Sequence, residues 1–334
     1  MKAKRKRTVY VCQSCGYDSP KWFGRCPGCG AWNTMQEEIL PPAEVESTKT
    51  RQSLADGSKP VPVGEVETED LPRFLSGTAE LDRVLGGGII PGGVTLIVGD
   101  PGVGKSSLTL KVAANVARDG KKSLYVTGEE SARQVRMRAD RIDALAQNLL
   151  VVSETNLERI ETHIENVAPD FLVIDSIQTM YRPDIESAPG SVSQVRECAA
   201  NLLGIAKRRG IAAFIVGHVT KDGALAGPRV LEHIVDAVLY FEGDKGAEVR
   251  VLRAVKNRFG STNEIGLFEM RDQGLIDVPD ASRRFLSDRA PDSGSVIVPT
   301  VEGTRPLLVE AQALVAETPY APPRRTAEIG RAHV

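Results

Sequence analysis

A glycine-rich loop at residues 99–106 constrains the fold of this chain more than any other feature of its sequence. The loop reads Gly99-Asp100-Pro101-Gly102-Val103-Gly104-Lys105-Ser106 and fits the pattern G-x-x-x-x-G-K-[ST] at every fixed position. An apolar run precedes it, and a segment with Leu108, Val112 and Val116 at helical spacing follows it. Because the motif requires this strand–loop–helix context, the sequence predicts a phosphate-binding P-loop rather than a chance glycine-rich turn.

The P-loop assigns roles to individual residues of a nucleotide site. Glycines let backbone N–H groups close around phosphate, and the helix N-terminus supplies positive potential. Lys105 is expected to reach the β- and γ-phosphates of ATP, and Ser106 is expected to bind Mg²⁺. The residues predicted to bind the nucleotide are Gly99, Asp100, Pro101, Gly102, Val103, Gly104, Lys105, Ser106 and Ser107.

Short apolar runs alternate with helix-length segments along the middle of the chain. The runs are residues 95–99, 123–127, 149–153, 171–175 and 213–217. They are typical of strands buried on both faces, and their alternation with helices predicts an α/β fold with a mostly parallel sheet. Beyond Val235 the spacing shortens, with runs at 237–242, 248–256 and 265–271. We expect these later strands to extend the sheet in antiparallel fashion.

Three carboxylates follow predicted strands and are candidates for chemistry on the nucleotide. Asp175 ends the run 171–175, where a Walker B carboxylate would hold Mg²⁺ or its water shell. Glu129 and Glu130 follow the run 123–127, and either can face the γ-phosphate and activate water as a base. The alternative for these two glutamates is an acidic pair that interacts with a helix dipole. The sequence does not distinguish Glu129 from Glu130.

Four of the five cysteines lie in two C-x-x-C hooks near the amino terminus, Cys12 with Cys15 and Cys26 with Cys29. Each hook can place two thiolates on one tetrahedral cation, and the glycine after each hook permits a tight turn. Iron–sulfur or redox chemistry is the alternative, whereas a disulfide pair is disfavoured because no secretory signal is visible. The hooks therefore predict a structural Zn²⁺ site, which so small a module needs in order to fold.

Charge and hydropathy exclude several classes of protein. The chain has 42 Lys and Arg residues and 44 Asp and Glu residues, which give a net charge of −2. This balance excludes a globally basic protein that coats nucleic acid, although a local basic surface remains compatible. The basic start lacks the apolar segment of a signal peptide, and no apolar run is long enough for a transmembrane helix. We therefore expect a cytoplasmic protein with no membrane partner.

Further segments carry a family resemblance. They are the P-loop lead-in 86–97, the segment 22–34 around the second cysteine hook, the pentapeptide Lys256-Asn257-Arg258-Phe259-Gly260, and residues 294–315. Together they resemble the bacterial RadA (Sms) family of DNA-repair proteins, which are RecA-like ATPases with a zinc module and a Lon-protease-like carboxyl-terminal domain. The resemblance covers residues 8–327, and the Lon-like domain is expected to be truncated soon after it begins.

The resemblance implies a DNA-dependent ATPase and helicase that processes recombination intermediates by branch migration during homologous-recombination repair. It also implies single-stranded and branched DNA as substrates, RecA recombinase as a partner, a hexameric ring, and association with the nucleoid. Two other functions stay open. One is an ATP-dependent oligomeric switch, and the other is a RecA-binding adaptor without motor activity.

Two segments that follow predicted strands are candidates for contact with DNA. Both are rich in glycine, proline and small polar residues, and both lie where open α/β sheets bind ligands. The residues expected to contact DNA are Tyr181, Arg182, Lys221 and Arg229. His218, at the start of the second segment, is a candidate sensor of the γ-phosphate or a structural histidine. Ordinary surface loops are the alternative reading.

The pentapeptide suggests a role for two further cations. Period-two geometry places Lys256 and Arg258 on one face of a strand and Asn257 on the other. In RecA-like rings ATP lies at the subunit boundary, and the resemblance implies that Lys256 and Arg258 reach the γ-phosphate of a neighbouring subunit. A solvated edge strand is the alternative.

These features divide the chain into five parts. We expect a zinc module with four cysteine ligands at 1–35, an acidic, proline-bearing linker at 36–73, a RecA-like ATPase core at 74–286, the start of a Lon-like domain at 287–327, and a non-native tail at 328–334.

Overall fold

The amino-terminal cysteines belong to a small antiparallel sheet. The structure, a computed structural model, describes residues 7–40, 62, 73–218, 229–243, 249–280, 282, 294–313, 315 and 317. Strands β1 (Arg7–Cys12), β2 (Asp18–Ser19) and β3 (Met35–Leu40) pair in the order β2-β1-β3. Because β3 pairs with β1 along its whole length, this module extends past the boundary predicted at residue 35. Most of the predicted linker lies outside the described residues.

A nine-stranded sheet forms the centre of the molecule. Its strands are β4 (Val94–Gly99), β5 (Ser123–Thr127), β6 (Leu149–Ser153), β7 (Phe171–Asp175), β8 (Ala212–His218), β9 (Ala237–Glu242), β10 (Val249–Asn257), β11 (Ile265–Arg271) and β12 (Gly274–Asp277). Their order is β12-β11-β10-β9-β4-β8-β7-β5-β6. The strands from β9 to β6 in this order are parallel, and β10 to β12 are antiparallel additions.

Three details of the sheet differ from the sequence expectations. The strand at 237–242, predicted to be antiparallel, pairs in parallel with β4 and is antiparallel only to β10. The strand at 149–153, predicted to be buried on both faces, is the edge strand β6, and its Leu150 side chain is exposed at the rim of the sheet. The short strand β12 was not predicted, since its four residues carry too little apolar pattern.

Six helices accompany the sheet in the described part of the chain. They are α1 (Ala79–Leu85), α2 (Lys105–Arg118), α3 (Ala132–Arg141), α4 (Leu157–Val167), α5 (Val192–Arg209) and α6 (Arg229–Glu232). Side-chain caps set three of the N-termini: Ser131 in a capping box, Asn156 and Ser191. No helix in the described ranges is long and apolar enough to cross a membrane.

The two faces of the sheet bury separate hydrophobic cores. Helices α4 and α5 cover one face, where Leu96 and Val98 of β4 are buried. Helices α1, α2 and α3 cover the other face, where Ile97 is buried. Since successive strand residues point to opposite faces, a strand between two cores is mainly apolar on both sides, as β4 is apart from its buried Thr95.

The zinc module packs against the ATPase core rather than standing apart from it. Val9 and Val11 of β1 are buried in the same core as Val192 at the start of α5 and Val230 in α6. A Cβ at Gly16 would lie 3.5 Å from Val192 Cγ1, which is ordinary van der Waals contact. The contact places the module next to the N-termini of α5 and α6.

A hairpin of β13 (Ser295–Glu302) and β14 (Arg305–Gln312) packs at the β11–β12 end of the sheet. Its Arg305 forms a buried ion pair with Glu80 of α1 and donates to Val278 O at 2.8 Å. Leu307 is buried with Leu267 and Val278. These residues lie in the range expected to begin a Lon-like domain, and in the structure they are attached directly to the ATPase core.

Candidate nucleotide site and zinc centre

The P-loop connects β4 to α2, and its glycines are required by close approach and by backbone conformation. A Cβ at Gly99 would lie 2.2 Å from the carbonyl oxygen of Phe241, which excludes any side chain there. Gly102 and Gly104 have φ angles of +85° and +114°, in the region that favours glycine. A Cβ at Gly102 would meet no atom within 4 Å, so this part of the loop is open toward a ligand.

Lys105 lies at the first position of α2, and only 3% of it is exposed. Its Nζ donates to Gly99 O at 2.8 Å and to Asp100 O at 3.0 Å, so the side chain folds over its own loop. Burial lowers the pKa of Lys105, an effect opposed by the carboxylates of Asp175, Glu129 and Asp100. These three acids therefore lie close enough to Lys105 to offset part of the effect of its burial.

Asp175 ends β7 directly opposite Thr127 of β5. The Tyr125 hydroxyl donates to Asp175 Oδ2 at 2.5 Å, and Asp175 Oδ1 is buried without a hydrogen-bond partner among the described residues. Burial, followed by the charge of Asp175, raises the pKa of Tyr125 well above its ordinary value, so its hydroxyl stays a donor. The arrangement leaves one carboxylate oxygen for a further ligand, which fits the Mg²⁺ expected beside a P-loop.

Glu129 and Glu130 follow β5 but point to different partners. Glu129 Oε1 accepts a hydrogen bond from Ser176 Oγ and lies 3.1 Å from His218 Nε2. Glu130 instead forms an ion pair with Arg138 of α3, and its backbone N–H donates to Thr127 Oγ1 at 3.0 Å. Of the two glutamates, Glu129 is thus the one that the structure brings together with residues at the ends of β7 and β8.

The hydrogen bond with His218 is the main cause that lowers the pKa of Glu129 to about 2. Burial opposes this effect, and Ser176 and Lys105 add to it. The Glu129 carboxylate therefore stays ionised at neutral pH. His218 Nδ1 is buried and lacks a partner in the described chain.

The residues predicted to contact DNA are only partly described. Tyr181 is half-buried, and its backbone N–H donates to Thr155 O at 2.9 Å. The Arg182 guanidinium forms a two-pronged ion pair with Asp184, at 3.0 and 2.6 Å, so its charge is largely neutralised within the chain. Lys221 lies outside the described residues, and of Arg229 only the backbone, at the start of α6, is described.

Lys256 and Arg258 lie at the opposite end of the sheet from the P-loop of their own chain. Asn257 pairs with Ala237, which pairs with Thr95 at the amino end of β4. Lys256 Nζ donates to Glu232 O and Val235 O at 2.7 Å, and Arg258 Nη1 lies 3.0 Å from Asp236 Oδ1. The prediction that both cations share one face is confirmed, because both reach residues 232–236 whereas Asn257 Nδ2 reaches Val84 O and Leu85 O of α1.

The four hook cysteines converge as predicted. Their Sγ atoms all lie within 4.8 Å of one another, with Cys12 and Cys29 3.7 Å apart and Cys15 and Cys26 3.6 Å apart. A tetrahedral Zn²⁺ with thiolate ligands separates neighbouring sulfurs by about 3.8 Å. The arrangement fits that ion.

The backbone and hydrogen bonds around the hooks also suit thiolate ligands. Gly16 and Gly30 have positive φ angles of 76° and 74°, and their N–H groups donate to Cys12 O and Cys26 O at 2.8 Å. Burial alone would raise the pKa of Cys12, but hydrogen bonds from Thr34 and from backbone N–H groups lower it to about 7. Burial raises the pKa of Cys15 and of Cys26, so these two thiols depend on the bound cation itself to be held as thiolates.

Sequence reasoning missed Tyr125, Ser176 and Asp236. The only local signal for Tyr125 was a hydroxyl at the centre of a buried strand, which strand pairing turns into a contact with Asp175. Nothing in the spacing of Asp236 indicated that it would accept hydrogen bonds from Val94 N, Lys207 and Arg258.

The strand order, the P-loop and the four-cysteine centre define a RecA-like P-loop ATPase with an amino-terminal zinc ribbon. Residues 60–224 match the family described as "AAA domain", and residues 10–37 match the one described as "Rubredoxin metal binding domain". A crystal structure of a KaiC-like protein from Pyrococcus horikoshii superposes with a TM-score of 0.51 at 22% identity. The match covers 63% of this chain and all of that one, and it supports the fold.

The chain belongs to the RadA family of DNA repair proteins. It is 53% identical over 325 residues to "DNA repair protein RadA" of Bacillus subtilis, a match that covers 97% of this chain and 71% of that protein. The identity to the Listeria monocytogenes protein of the same name is 53% over 330 residues, with the same coverage. The family expected from the sequence is thereby confirmed, together with ATP, Mg²⁺ and Zn²⁺ as its ligands.

Proposed function

We propose that this ATPase is stimulated by DNA, translocates on single-stranded DNA and drives branch migration of recombination intermediates. The observation that carries the proposal is the contact between Glu129 and His218. Glu129 lies near Lys105 of the P-loop, and His218 ends β8 immediately before the segment 219–228 that we expect to face DNA. The hydrogen bond between Glu129 and His218 therefore connects the γ-phosphate side of the site to β8, the strand that leads into this segment.

In this proposal Glu129 orients the water that attacks the γ-phosphate. A carboxylate with a pKa of about 2 is a weak base, so its main contribution is to hold the water and to stabilise the positive charge that develops on it. Ser176 and His218 fix the carboxylate in place. Lys105 exchanges its two loop carbonyls for phosphate oxygens.

The residues that would hold Mg²⁺ are Ser106 and Asp175, the latter through its unpaired Oδ1. When bound, the ion neutralises charge on the phosphates. The Tyr125 hydroxyl donates to Asp175 Oδ2, and this hydrogen bond restricts rotation of the carboxylate and so keeps Oδ1 in position for the ion.

Lys256 and Arg258 act on the nucleotide of a neighbouring subunit in this proposal. Asn257, between them, is level with Thr95 of β4, and Thr95 is four residues, or about 13 Å of strand, from Gly99. The two cations therefore cannot serve the P-loop of their own chain. A ring of six subunits would bring this end of one sheet against the P-loop of the next. A cation supplied in trans contributes about 10³- to 10⁵-fold to phosphoryl transfer.

The same proposal includes RecA recombinase as a partner and association with the nucleoid. Support comes from membership of a DNA-repair family and from the resemblance of the pentapeptide at 256–260. The basic surface that DNA requires would come from the central channel of the ring, since the chain as a whole carries a charge of −2.

The test measures ATP turnover with and without single-stranded DNA, followed by strand displacement on a forked substrate. We expect stimulation by DNA and unwinding that depends on ATP, with Lys105→Ala as the inactive control. Stimulation without unwinding would favour the oligomeric switch or the adaptor. Turnover that is indifferent to DNA would contradict the proposal.

A further inference from the structure

The zinc module exposes aromatic side chains that neither the metal nor the nucleotide site uses. Aromatic residues make up 5% of the chain, yet Trp22, Phe23 and Trp32 lie within eleven residues of one another. Trp22 is 54% exposed and Trp32 69%, and Phe23 is also exposed. We call these three residues the aromatic face. Because burying a tryptophan is strongly favourable, a cluster left in water marks a surface that binds something.

Hydrogen bonds fix the Trp22 side chain and the backbone next to Trp32. Trp22 Nε1 donates to Met35 O at 3.2 Å, and its ring lies 3.6 Å from where a Cβ at Gly24 would be. Gly24 O in turn accepts the N–H of Asn33, the residue after Trp32, at 2.8 Å. A ligand that stacks on the Trp22 ring would not need to order that ring first, which lowers the entropic cost of binding.

The charges next to the aromatic face favour an anionic ligand. Residues 20–34 include Lys21 and Arg25 and no acidic residue. Both cations are exposed, and Arg25 Cζ lies 5.8 Å from the centre of the Trp32 ring. Rings that can stack, with cations at their margin, match the alternation of bases and phosphates in a single nucleic-acid strand.

The position of the module points to the same ligand. Val9 and Val11 pack with Val192 and Val230, so the module lies against the first residues of α5 and α6. These helices begin directly after the segments 181–191 and 219–228. The aromatic face is therefore carried by a domain attached at the end of the ATPase core where we expect DNA to pass.

We propose that the aromatic face is a stacking platform for single-stranded DNA, with bases lying against Trp22 and Trp32 and phosphates next to Lys21 and Arg25. This inference rests on the proposed function, because it assigns part of the DNA path of the same motor. Duplex DNA binds this surface weakly, since its bases are already stacked on one another.

The first experiment uses the intrinsic fluorescence of the full chain, because Trp22 and Trp32 are its only tryptophans. Titration with unlabelled oligo(dT) at fixed salt should quench the emission and follow the binding curve measured independently by anisotropy of a labelled oligonucleotide. A duplex of the same length should quench much less. Binding by anisotropy with unchanged tryptophan emission would overturn the inference.

The second experiment compares variants. Trp32→Ala and Trp22→Ala should each weaken oligo(dT) binding about 5- to 160-fold, the range for loss of one stacked base. Trp32→Phe should restore most of the affinity because it keeps a ring. The matched control is Met137→Ala, which removes an exposed apolar side chain from α3, far along the chain from the zinc module. Measuring the zinc content of every variant checks that the zinc ribbon is folded.

The results separate this inference from the proposed function. If the wild-type chain binds no oligonucleotide and DNA does not change its ATP turnover, the proposed function is wrong, and the stacking platform, which rests on it, is wrong as well. If the wild type binds and is stimulated while zinc-loaded Trp22→Ala and Trp32→Ala bind equally well, only the stacking platform is wrong. The aromatic face then belongs to a protein partner.

Discussion

The two ends of the parallel sheet differ in how completely their polar groups are paired. At the carboxyl end, Asp175 Oδ1, His218 Nδ1 and Gln178 Oε1 are buried without partners within the described chain. At the amino end only the Ser123 hydroxyl is buried without a partner among the described parallel-strand residues, whereas Asp236 Oδ2 accepts from Val94 N at 3.1 Å, and its Oδ1 accepts from Lys207 at 3.1 Å and Arg258 at 3.0 Å.

An unpaired buried polar group costs about 1–3 kcal/mol, which native proteins tolerate mainly where a ligand supplies the missing bond. The carboxyl end is therefore organised for binding and the amino end for holding strands together. The exception is the pair Lys256 and Arg258, which lies at the amino end, beside the paired Asp236, and yet is proposed to act on nucleotide. Substitutions at the two ends test that contrast.

The largest effect is expected at the P-loop. Lys105→Ala removes the main cation from the phosphates, so ATP hydrolysis should fall by roughly 10³-fold or more. The chain should remain folded, because Lys105 bonds only to its own loop carbonyls. Steady-state phosphate release together with circular dichroism measures both. Turnover at the wild-type level would show that this end of the sheet is not the nucleotide site.

At the other end, Lys256→Ala and Arg258→Ala should still bind ATP but lose DNA-stimulated turnover by about 10³-fold if they act in trans. Mixing Lys256→Ala with Lys105→Ala chains should restore part of the activity, because some interfaces then pair an intact Lys105 with an intact Lys256. Mixed assemblies that form and stay inactive would leave Lys256 with only its contacts to Glu232 O and Val235 O.

Glu129→Gln should lower turnover by about 10²-fold or more while nucleotide affinity stays within a few-fold of wild type. Glu130→Gln is the matched control and should have a small effect, since Glu130 pairs with Arg138. Equal losses in both variants would contradict the assignment.

The pH dependence of turnover gives a second check on Glu129. With a pKa of about 2, Glu129 is ionised at every pH near neutrality, so it should contribute no acidic limb to the profile. The stabilisation that its bonds confer is present above the unfolded pKa near 4.3 and is lost only as pH falls toward 2. An acidic limb that disappears in Glu129→Gln would show that Glu129 titrates within the working range.

Asp236→Ala should act on stability rather than on the nucleotide. The change leaves Val94 N unpaired and removes an acceptor from two cations, which should lower the free energy of unfolding by about 2–3 kcal/mol. The cations reach solvent, so the loss should not be larger. Urea unfolding measures it. An unchanged urea midpoint would show that the paired end contributes nothing to holding the strands.

The smallest effect is expected for Tyr125→Phe, which removes one hydroxyl from the core. Asp175 Oδ2 then loses its donor, and the Mg²⁺ concentration needed for tight nucleotide binding should rise about tenfold. Titration of a fluorescent ATP analogue at several Mg²⁺ concentrations measures this change in the Mg²⁺ requirement. The affinity for the analogue without Mg²⁺ should not change. An equal loss with and without Mg²⁺ would indicate general damage to the core.

Features encoded by short spacing could be predicted from the sequence. Sequence patterns located the P-loop and the two cysteine hooks, and they gave the bounds of five parallel strands to within one residue. These features depend on local pattern, because glycine positions and apolar runs act over fewer than ten residues. The common face of Lys256 and Arg258 followed from the two-residue period of a strand. Family membership followed from the motifs together.

Only the tertiary structure decided which side chains meet across strands. Glu129 and Glu130 are adjacent and chemically alike, but they contact different residues. Glu129 contacts His218 and Ser176 at the ends of neighbouring strands, whereas Glu130 contacts Arg138 on α3. Likewise, the edge position of β6, the parallel pairing of β9 and the contact of Tyr125 with Asp175 depend on strand order. Strand order joins residues far apart in sequence, so no local pattern carries it.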